Sequence, residues 1–418
     1  MPQVFLKNES KNFADRKSCS APKSRTPSTP TGLQSASRTT SSQLKKLPPI
    51  KNGIATQKPP SRADSADCES EIGTPTTTQD VLKLCQESDC LKVLNIDLHG
   101  YKLRKICDLT KFTRIQGLDL SGNFLSKIEG LDANQLLKTL KLYDNRISTV
   151  HNLDCLTQLQ DLQLQFNAIE SVGTGFSALR NLTSLRLDNN KLTAISVQEF
   201  SPVSKTLQIL DISRNQLTDI SAIISLKALE ELNVSGNAIK SLPCLKNLGK
   251  LVEFDCSENL LTTLRGLESC GSLTTLIAAR NKLRSDLFTQ FQGYLDQLDR
   301  LDVEENKIVE VEGIARAFPN ISILNVAKNE IRDFSPLLSS LLERLAEIDS
   351  RDNPVSLDST RFKEAFPTVE MVDGRPARGT CVLMPKDPLN IHPVGMSANY
   401  RCCLLTSHVL PTPIKKKL

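Results

Sequence analysis

The chain has 418 residues, a net charge of +5 and a hydrophobic fraction of 39%. No apolar run approaches the roughly 18 residues of a membrane span, and the first residues, MPQVFLKNES, lack the apolar stretch of a signal peptide. The twelve cysteines are scattered without the clustered spacing of a zinc site or a disulfide-tied domain. These features argue against a membrane-spanning or secreted protein, and we expect a soluble protein of the cytoplasm.

The first segment, residues 1–76, is rich in Ser, Thr, Pro, Lys and Arg, and its apolar residues show no period. This composition predicts a disordered arm. Residues 1–62 contain twelve Lys or Arg and only two acids, so this part carries +10 and the rest of the chain −5. A basic arm is attracted to acidic surfaces such as a nucleic acid, an anionic membrane or a microtubule. Our interpretation favours microtubules and expects no nucleic acid.

The next segment, residues 77–92, has apolar residues at the spacing of a helix. Val81, Leu84 and Cys85 recur on one face, and Thr77 or Thr78 can cap the first turn. A helix here would cover the open end of the repeat array that follows, which would otherwise expose apolar side chains to water. We therefore predict an amino-terminal capping helix.

Residues 93–355 contain twelve copies of one pattern, apolar-x-x-apolar-x-apolar-x-x-Asn-x-apolar, which recurs every 22 to 25 residues. The copy IQGLDLSGNFL begins at Ile115 and carries Leu118, Leu120 and Asn123 at fixed places. Leu118 and Leu120 have the period of two that places both side chains on one face of a short strand. One repeat cannot bury such a face alone, but stacked neighbours enclose a continuous core. The pattern therefore predicts a solenoid.

Asparagine fills the ninth place of every copy except the first, which has Tyr101. An asparagine side chain both donates and accepts hydrogen bonds, so it can bond backbone groups left unpaired where the chain turns away from a strand. A stack of such residues predicts a structural ladder. Its members are Asn123, Asn145, Asn167, Asn190, Asn215, Asn237, Asn259, Asn281, Asn306, Asn329 and Asn353.

These repeats, with the second apolar phrase that follows most asparagines, resemble the leucine-rich repeat family over about 280 of the 418 residues. The 22-residue version resembles the subclass typified by the leucine-rich regulatory subunit of protein phosphatase 1. The resemblance implies an α/β solenoid shaped as a horseshoe. A parallel β-sheet would line its concave side, and short 3-10 or α-helical turns would form its convex side.

Two steps between copies are expanded to 25 residues. In the second, Leu287, Phe291 and Leu295 have helical spacing and predict a short helix on the convex side. Residues 356–376 resemble the carboxyl-terminal cap of intracellular leucine-rich repeat proteins, which implies that Phe362 covers the last repeat, together with Phe366. Residues 377–418 are rich in Pro and irregular, and we predict a flexible tail.

The sequence gives no positive case for catalysis. Its four histidines do not have the HExxH spacing, and no phosphate-binding GxxxxGK[ST] loop, GxGxxG turn or GxSxG elbow occurs. We therefore predict that the protein is not an enzyme and that it has no cofactor and no metal site.

The predicted binding surface is the concave face of the sheet. Side chains that alternate with the buried apolar residues point there, and in the later repeats eleven acids stand against five bases. We expect a protein partner with a basic face, with Tyr143 and Phe166 as apolar anchors. The candidate contact residues are Lys141, Tyr143, Gln163, Phe166, Arg186, Asp211, Glu231, Glu253, Asp255, Asp302 and Glu304.

The resemblance implies a partner, the catalytic subunit of protein phosphatase 1, held by acidic and aromatic residues of the concave side. Tyr143, Phe166, Glu231, Asp255 and Glu304 are positions of suitable type. The alternative is a cytoskeletal or ciliary scaffold of axonemes, centrosomes or dynein assembly, whose basic arm meets microtubules. A nuclear ribonucleoprotein component is a third interpretation. The cytoskeleton, a cilium and the nucleus are thus alternatives to a purely cytoplasmic location.

Overall fold

The computed structural model describes residues 75–284, 286–356 and 359–377. In these residues fourteen short strands form one sheet whose spatial order follows the chain. Neighbouring strands are parallel except for the last pair. The strands are β1 (Asn95–Asp97), β2 (Gly117–Asp119), β3 (Thr139–Lys141), β4 (Asp161–Gln163), β5 (Ser184–Arg186), β6 (Ile209–Asp211), β7 (Glu231–Asn233), β8 (Glu253–Asp255), β9 (Thr275–Ile277), β10 (Arg300–Asp302), β11 (Ile323–Asn325), β12 (Glu347–Asp349), β13 (Met371–Val372) and β14 (Arg375–Pro376).

A short helix, α1 (Thr78–Leu84), precedes the first strand. Thr77 caps it, because its hydroxyl accepts a hydrogen bond from the third helical residue and that residue's carboxylate accepts from the backbone of Thr77. Val81 is fully buried. The helix is shorter than the predicted segment 77–92, because the backbone turns into the left-handed region at Gln86 (φ 53°) and leads to the first strand.

The core is built from the middle residue of each strand. In β2, Leu118 is buried while Gly117 and Asp119 on either side are partly exposed. Equivalent residues pair in register, so that Leu118 lies opposite Leu140 in β3. The apolar side chains therefore stack from repeat to repeat into one hydrophobic cluster. This arrangement confirms the predicted parallel-strand solenoid of about twelve turns.

The asparagine side chains join each repeat to the one before it. Asn123 donates through Nδ2 to the carbonyl oxygens of Leu98 (2.8 Å) and Leu120 (2.9 Å), and its Oδ1 accepts from the N–H of Leu103 (2.9 Å). The other ten asparagines make the equivalent three bonds. Each side chain thus satisfies backbone groups that the turn leaves without a partner.

A second regular feature, not foreseen from the sequence, is a left-handed residue directly before the ninth place of every repeat. Its φ lies between 51° and 76°, a region that glycine enters freely and other residues enter at a cost. We call this the turn position, because the chain leaves the strand there. It is occupied by Gly100, Gly122, Asp144, Phe166, Asn189, Arg214, Gly236, Glu258, Arg280, Glu305, Lys328 and Asp352.

The side opposite the sheet consists mainly of turns. Residues 286–290 form turns rather than the predicted helix, although Leu287, Phe291 and Leu295 are all buried. Phe288 is buried there too. The helical elements of the described part of this side are α2 (Val197–Phe200), α3 (Ile314–Ala317), α4 (Ser335–Leu338) and the 3-10 helices Ser201–Val203 and Ser221–Ser225.

The carboxyl-terminal end of the array is covered by a helix and a hairpin. The helix, α5 (Ser359–Ala365), contributes Phe362, which is fully buried, and the rings of Phe362 and Phe366 lie 4.7 Å apart. Asp373 and Gly374 then form a two-residue turn with positive φ at both positions, which joins β13 to the antiparallel β14.

Apart from residues 75, 76 and 377, the predicted arm (1–76) and tail (377–418) lie outside the described residues. Within the described part of the chain, seven cysteines are present as free thiols, and Cys256 is buried in the core. No helix among the described residues is both long and apolar enough to cross a membrane.

Candidate interaction surface on the sheet

Eight of the eleven predicted contact residues lie in strands, on either side of a buried middle residue. Their side chains therefore share the outer face of the sheet, as the period of two requires. Tyr143, Phe166 and Glu304 follow their strands by two or three residues and lie at the rim where the chain turns away. We call the face and this rim together the sheet surface.

Six acids gather on the middle of the sheet surface, and we call them the acidic cluster. Burial raises the pKa of Asp188 to about 6, assisted by the neighbouring carboxylate of Asp211. Burial also raises the pKa of Glu231, and Glu253 beside it adds to the rise. A raised carboxyl pKa means that these negative charges are unfavourable where they lie. The cluster consists of Asp188, Asp211, Glu231, Glu253, Asp255 and Asp302.

Three acids of the cluster also have a structural task. The Asp211 carboxylate accepts from the N–H (3.0 Å) and the hydroxyl (2.7 Å) of Ser213, and Asp255 makes the same pair of bonds to Ser257. Asp302 likewise accepts from the backbone N–H two residues on, at 3.0 Å. Asp211 is only 7% exposed, and its carboxylate fastens the end of its strand.

Glu231 and Glu253 are the two freest acids of the cluster. They lie on the adjacent strands β7 and β8, where they face each other in register. Neither side chain has a hydrogen bond or an ion pair to another residue in the described part of the chain. Their carboxylates are therefore open to a group from outside.

Bases neutralise the acids toward the carboxyl-terminal end of the surface. Arg280 contacts Glu258 (2.9 Å) and Glu305 (3.1 Å), and Lys328 contacts Glu304 at 2.7 Å. Glu304, a predicted contact residue, is thus paired within the chain. The uncompensated negative charge is concentrated between β5 and β10 and does not extend along the whole face.

The amino-terminal part of the surface is polar and aromatic. The rings of His99 and Tyr143 lie 6.2 Å apart, and His99 Nδ1 is 2.8 Å from the hydroxyl oxygen of Ser121. Gly122 makes room for this histidine, because a Cβ there would lie 2.9 Å from the imidazole ring. Of the predicted residues nearby, Lys141 contacts Asp119 at 3.0 Å.

The remaining predicted residues, Gln163 and Arg186, differ in their contacts with neighbouring side chains. Gln163 donates to Asp161 at 2.8 Å, while Arg186 is half-buried and lies near Asp188 and Asp211, whose pKa it lowers.

Phe166 is exposed, with 55% of its surface open to solvent. It occupies a turn position with φ 55°, where a bulky side chain is unusual. The preceding Gln165 is buried, and its Oε1 has no donor among the described residues.

The sequence of residues 180–239 matches the family model described as "Leucine rich repeat". Together with the strand register and the asparagine ladder, this match identifies the fold. The fold is a leucine-rich repeat solenoid. A search of the curated proteins returned no match.

Solved leucine-rich repeat structures share this fold at low sequence identity. An internalin (inlF) from Listeria monocytogenes is 20% identical, with a TM-score of 0.55 over 70% of this chain and 93% of its own. The Leptospira interrogans LRR protein LIC12759 is also 20% identical, with a TM-score of 0.56 over 72% of this chain and 88% of its own. TLR13, in a complex with ssRNA13, is 20% identical, with a TM-score of 0.58 over 71% of this chain and 48% of its own. At this identity the likeness concerns the fold alone.

Leucine-rich repeat proteins are generally binding scaffolds without catalytic activity, and nothing in these comparisons points to catalysis. In the described part of the chain, no three His, Cys, Asp or Glu residues are grouped so as to hold a metal ion.

One member of the acidic cluster was missed in the sequence prediction. Asp188 lies two residues after β5, the same place that the predicted residues Tyr143 and Glu304 hold after their own strands. The repeat alignment could have indicated this residue. When the ladder asparagines are aligned, Asp188 corresponds to Ser213 of the next repeat, and it therefore lies beside the carboxylate of Asp211. The burial that raises its pKa, however, depends on the folded neighbours.

Proposed function

We propose that this protein is a non-enzymatic interaction scaffold that binds a protein partner with a basic face on its sheet surface. The single observation that carries the proposal is the acidic cluster, whose carboxylates are crowded, partly buried and without an ion pair among the described residues. A fold that displays one side chain every roughly 5 Å on a continuous sheet offers such a cluster to a broad partner.

A basic partner would relieve the repulsion within the cluster. A Lys or Arg side chain placed beside Glu231 and Glu253 adds an attractive charge where two negative charges already oppose each other. Such complementarity raises the association rate and rejects acidic partners, while well-packed side chains supply most of the affinity.

The first candidate partner is the catalytic subunit of protein phosphatase 1. The 22-residue period and the joint presence of acidic and aromatic residues on one face support this assignment. In the second candidate function, the protein itself is a cytoskeletal or ciliary scaffold that binds microtubules. The twelve basic residues of segment 1–62 support this alternative. In that case the arm meets an acidic polymer while the sheet surface holds a different protein.

Affinity capture with three forms of the full chain tests the proposal. The first is unchanged, the second carries Glu231→Gln and Glu253→Gln, and the third carries Glu129→Gln and Glu312→Gln. The two exposed glutamates of the third form occupy equivalent positions on the opposite side, so that it loses the same charge there.

We expect the second form to lose about ten-fold or more in affinity for the captured partner and the third to retain it. Equal retention by both variants would contradict the proposed surface. Recovery of phosphatase catalytic subunit favours the first candidate, and recovery of tubulin or dynein chains favours the second. Cosedimentation with microtubules, with and without residues 1–76, tests the arm separately.

A further inference from the structure

Phe124 and Phe166 differ in whether a cation of the chain covers the ring. The ring of Phe124 is covered by the guanidinium of Arg146, whose carbon lies 4.5 Å from the ring centroid. Phe166 has a larger exposed face, and within the described residues no Arg or Lys of the chain lies over it. The chain therefore forms a cation–aromatic pair at one ring and leaves the other without a cation.

Carboxylates lie on both sides of Phe166 along the stack. Asp144 holds the same turn position one repeat earlier, is exposed and has no side-chain hydrogen bond among the described residues. Asp188 lies one repeat later, and its carbonyl oxygen accepts the N–H of Phe166 at 3.1 Å. Equivalent positions of neighbouring repeats are roughly 5 Å apart, which places Asp144 beside Phe166. The backbone hydrogen bond places Asp188 next to Phe166 on the other side, where its carboxylate accepts from the Asn189 amide at 2.8 Å.

The backbone conformation at Phe166 gives an independent reason to assign this residue a role in binding. Its left-handed φ of 55° costs a bulky residue about 1 kcal/mol relative to a relaxed conformation. Other repeats place Gly, Asn, Asp or flexible charged side chains at this position. The left-handed backbone is common to all twelve repeats, so the unusual feature is an exposed aromatic ring at this position, where it contributes little to stability.

We propose that Phe166, with Asp144 and Asp188 on either side, is the seat for an arginine side chain of the partner. The inference rests on the proposed function and names the group that the partner inserts. A guanidinium is planar, so it can stack on the ring face while its edge donates hydrogen bonds to a carboxylate. An ammonium has no plane to stack, and a lysine should bind less well.

A synthetic peptide of alternating arginine and glycine is the probe, titrated calorimetrically into the full chain at pH 7.5 and fixed salt. Phe166→Leu keeps an apolar side chain and the same backbone but removes the aromatic face. Tyr294→Leu removes an aromatic ring that is 65% exposed elsewhere on the solenoid, and serves as the matched control. The thermal transition of each variant verifies that it is folded.

We expect Phe166→Leu to weaken arginine-peptide binding by about 5- to 30-fold, in line with a desolvated cation–aromatic contact. Tyr294→Leu should leave it unchanged, and a matching lysine–glycine peptide should bind more weakly than the arginine peptide. Because the chain contains no tryptophan, Phe166→Trp places a single tryptophan at the seat, and its emission should change on titration.

The outcomes separate this inference from the proposed function. If Glu231→Gln with Glu253→Gln weakens peptide binding but Phe166→Leu does not, the seat is overturned while the acidic surface stands. If only Phe166→Leu weakens it, the seat stands and the acidic surface fails. Equal affinity for the two peptides overturns the preference for arginine. If the unchanged chain binds neither peptide, both proposals are contradicted.

Discussion

Asn259 illustrates how one residue type holds the whole array together. It is buried, its amide donates to the carbonyl oxygens of Val234 and Cys256, and its Oδ1 accepts from the N–H of Ile239. Because an alanine would leave these backbone groups buried without partners, Asn259→Ala should lower the free energy of unfolding by about 2–4 kcal/mol. Urea unfolding followed by circular dichroism measures the change.

The control is Asn181→Ala, which removes an exposed amide with one bond to the carbonyl oxygen of Thr157. It should cost less than about 1 kcal/mol. Similar losses for the two variants would show that the buried amides are not the source of cohesion.

Asp188 should behave in the opposite way to the ladder residues. Since burial and Asp211 raise its pKa to about 6, its ionised form is unfavourable at neutral pH. Asp188→Asn removes the charge and should stabilise the fold by about 1–2 kcal/mol at pH 7.5, while weakening a basic partner. Asp119→Asn, at a carboxyl whose pKa is lowered and which contacts Lys141, should destabilise it. Destabilisation by Asp188→Asn would refute the account of the acidic cluster.

At the scale of residues, the sequence predicted which asparagines form the ladder and most of the exposed strand residues, because both follow from a fixed period. It did not predict the left-handed backbone at Phe166 or the burial of Asp211. Both depend on the backbone path after the strand and on contacts from neighbouring repeats, which a pattern of apolar residues does not encode.

At the scale of elements, Phe362 is the most deeply buried side chain of the carboxyl-terminal cap. Phe362 is fully buried at the end of the apolar stack and contacts Phe366. Phe362→Ala should therefore cost about 3–5 kcal/mol of local stability. Amide hydrogen exchange should report this loss mainly in β12 and α5, since contacts in a solenoid are with nearest neighbours.

Leu341→Ala is the matched control for the cap, because this leucine is 83% exposed. It should leave exchange in β12 and α5 unchanged. Faster exchange throughout β1–β12 in Phe362→Ala alone would contradict the nearest-neighbour account and indicate one cooperative unit.

The elements were foreseen unequally. The strands were predicted well because a short period of two fixes which side chains face the core. The short helix predicted from Leu287, Phe291 and Leu295 was wrong, because residues 286–290 form turns that bury these side chains without a helix. Helical spacing of three apolar residues could not exclude that alternative.

For the described solenoid as a whole, the acidic cluster predicts an unusual pH dependence. Its carboxyl groups with a raised pKa bind protons more tightly in the folded chain than in the unfolded chain. Lowering the pH from about 8 to about 5 should therefore raise the melting temperature by a few degrees. Below about pH 4, carboxyl groups with a lowered pKa, such as that of Asp119, become protonated and stability falls again.

Scanning calorimetry across this range measures the effect, with the Glu231→Gln and Glu253→Gln variant as the control. Its melting temperature should rise less between pH 8 and 5, because it lacks part of the repulsion. A steady fall in stability from pH 8 to 5 in the unchanged chain would contradict the assignment. Binding of a basic partner should weaken over the same range, since the cluster loses charge.

Labelling of carboxyl groups with a carbodiimide, read by mass spectrometry, tests the acidic sheet surface most directly. The full chain is labelled alone and with its captured partner, and the modification of each acid is compared. The account predicts that Glu231 and Glu253 lose labelling in the complex while Glu129 and Glu312 keep it. Protection of Glu129 and Glu312, with Glu231 and Glu253 labelled as in the free chain, would show that the partner binds elsewhere.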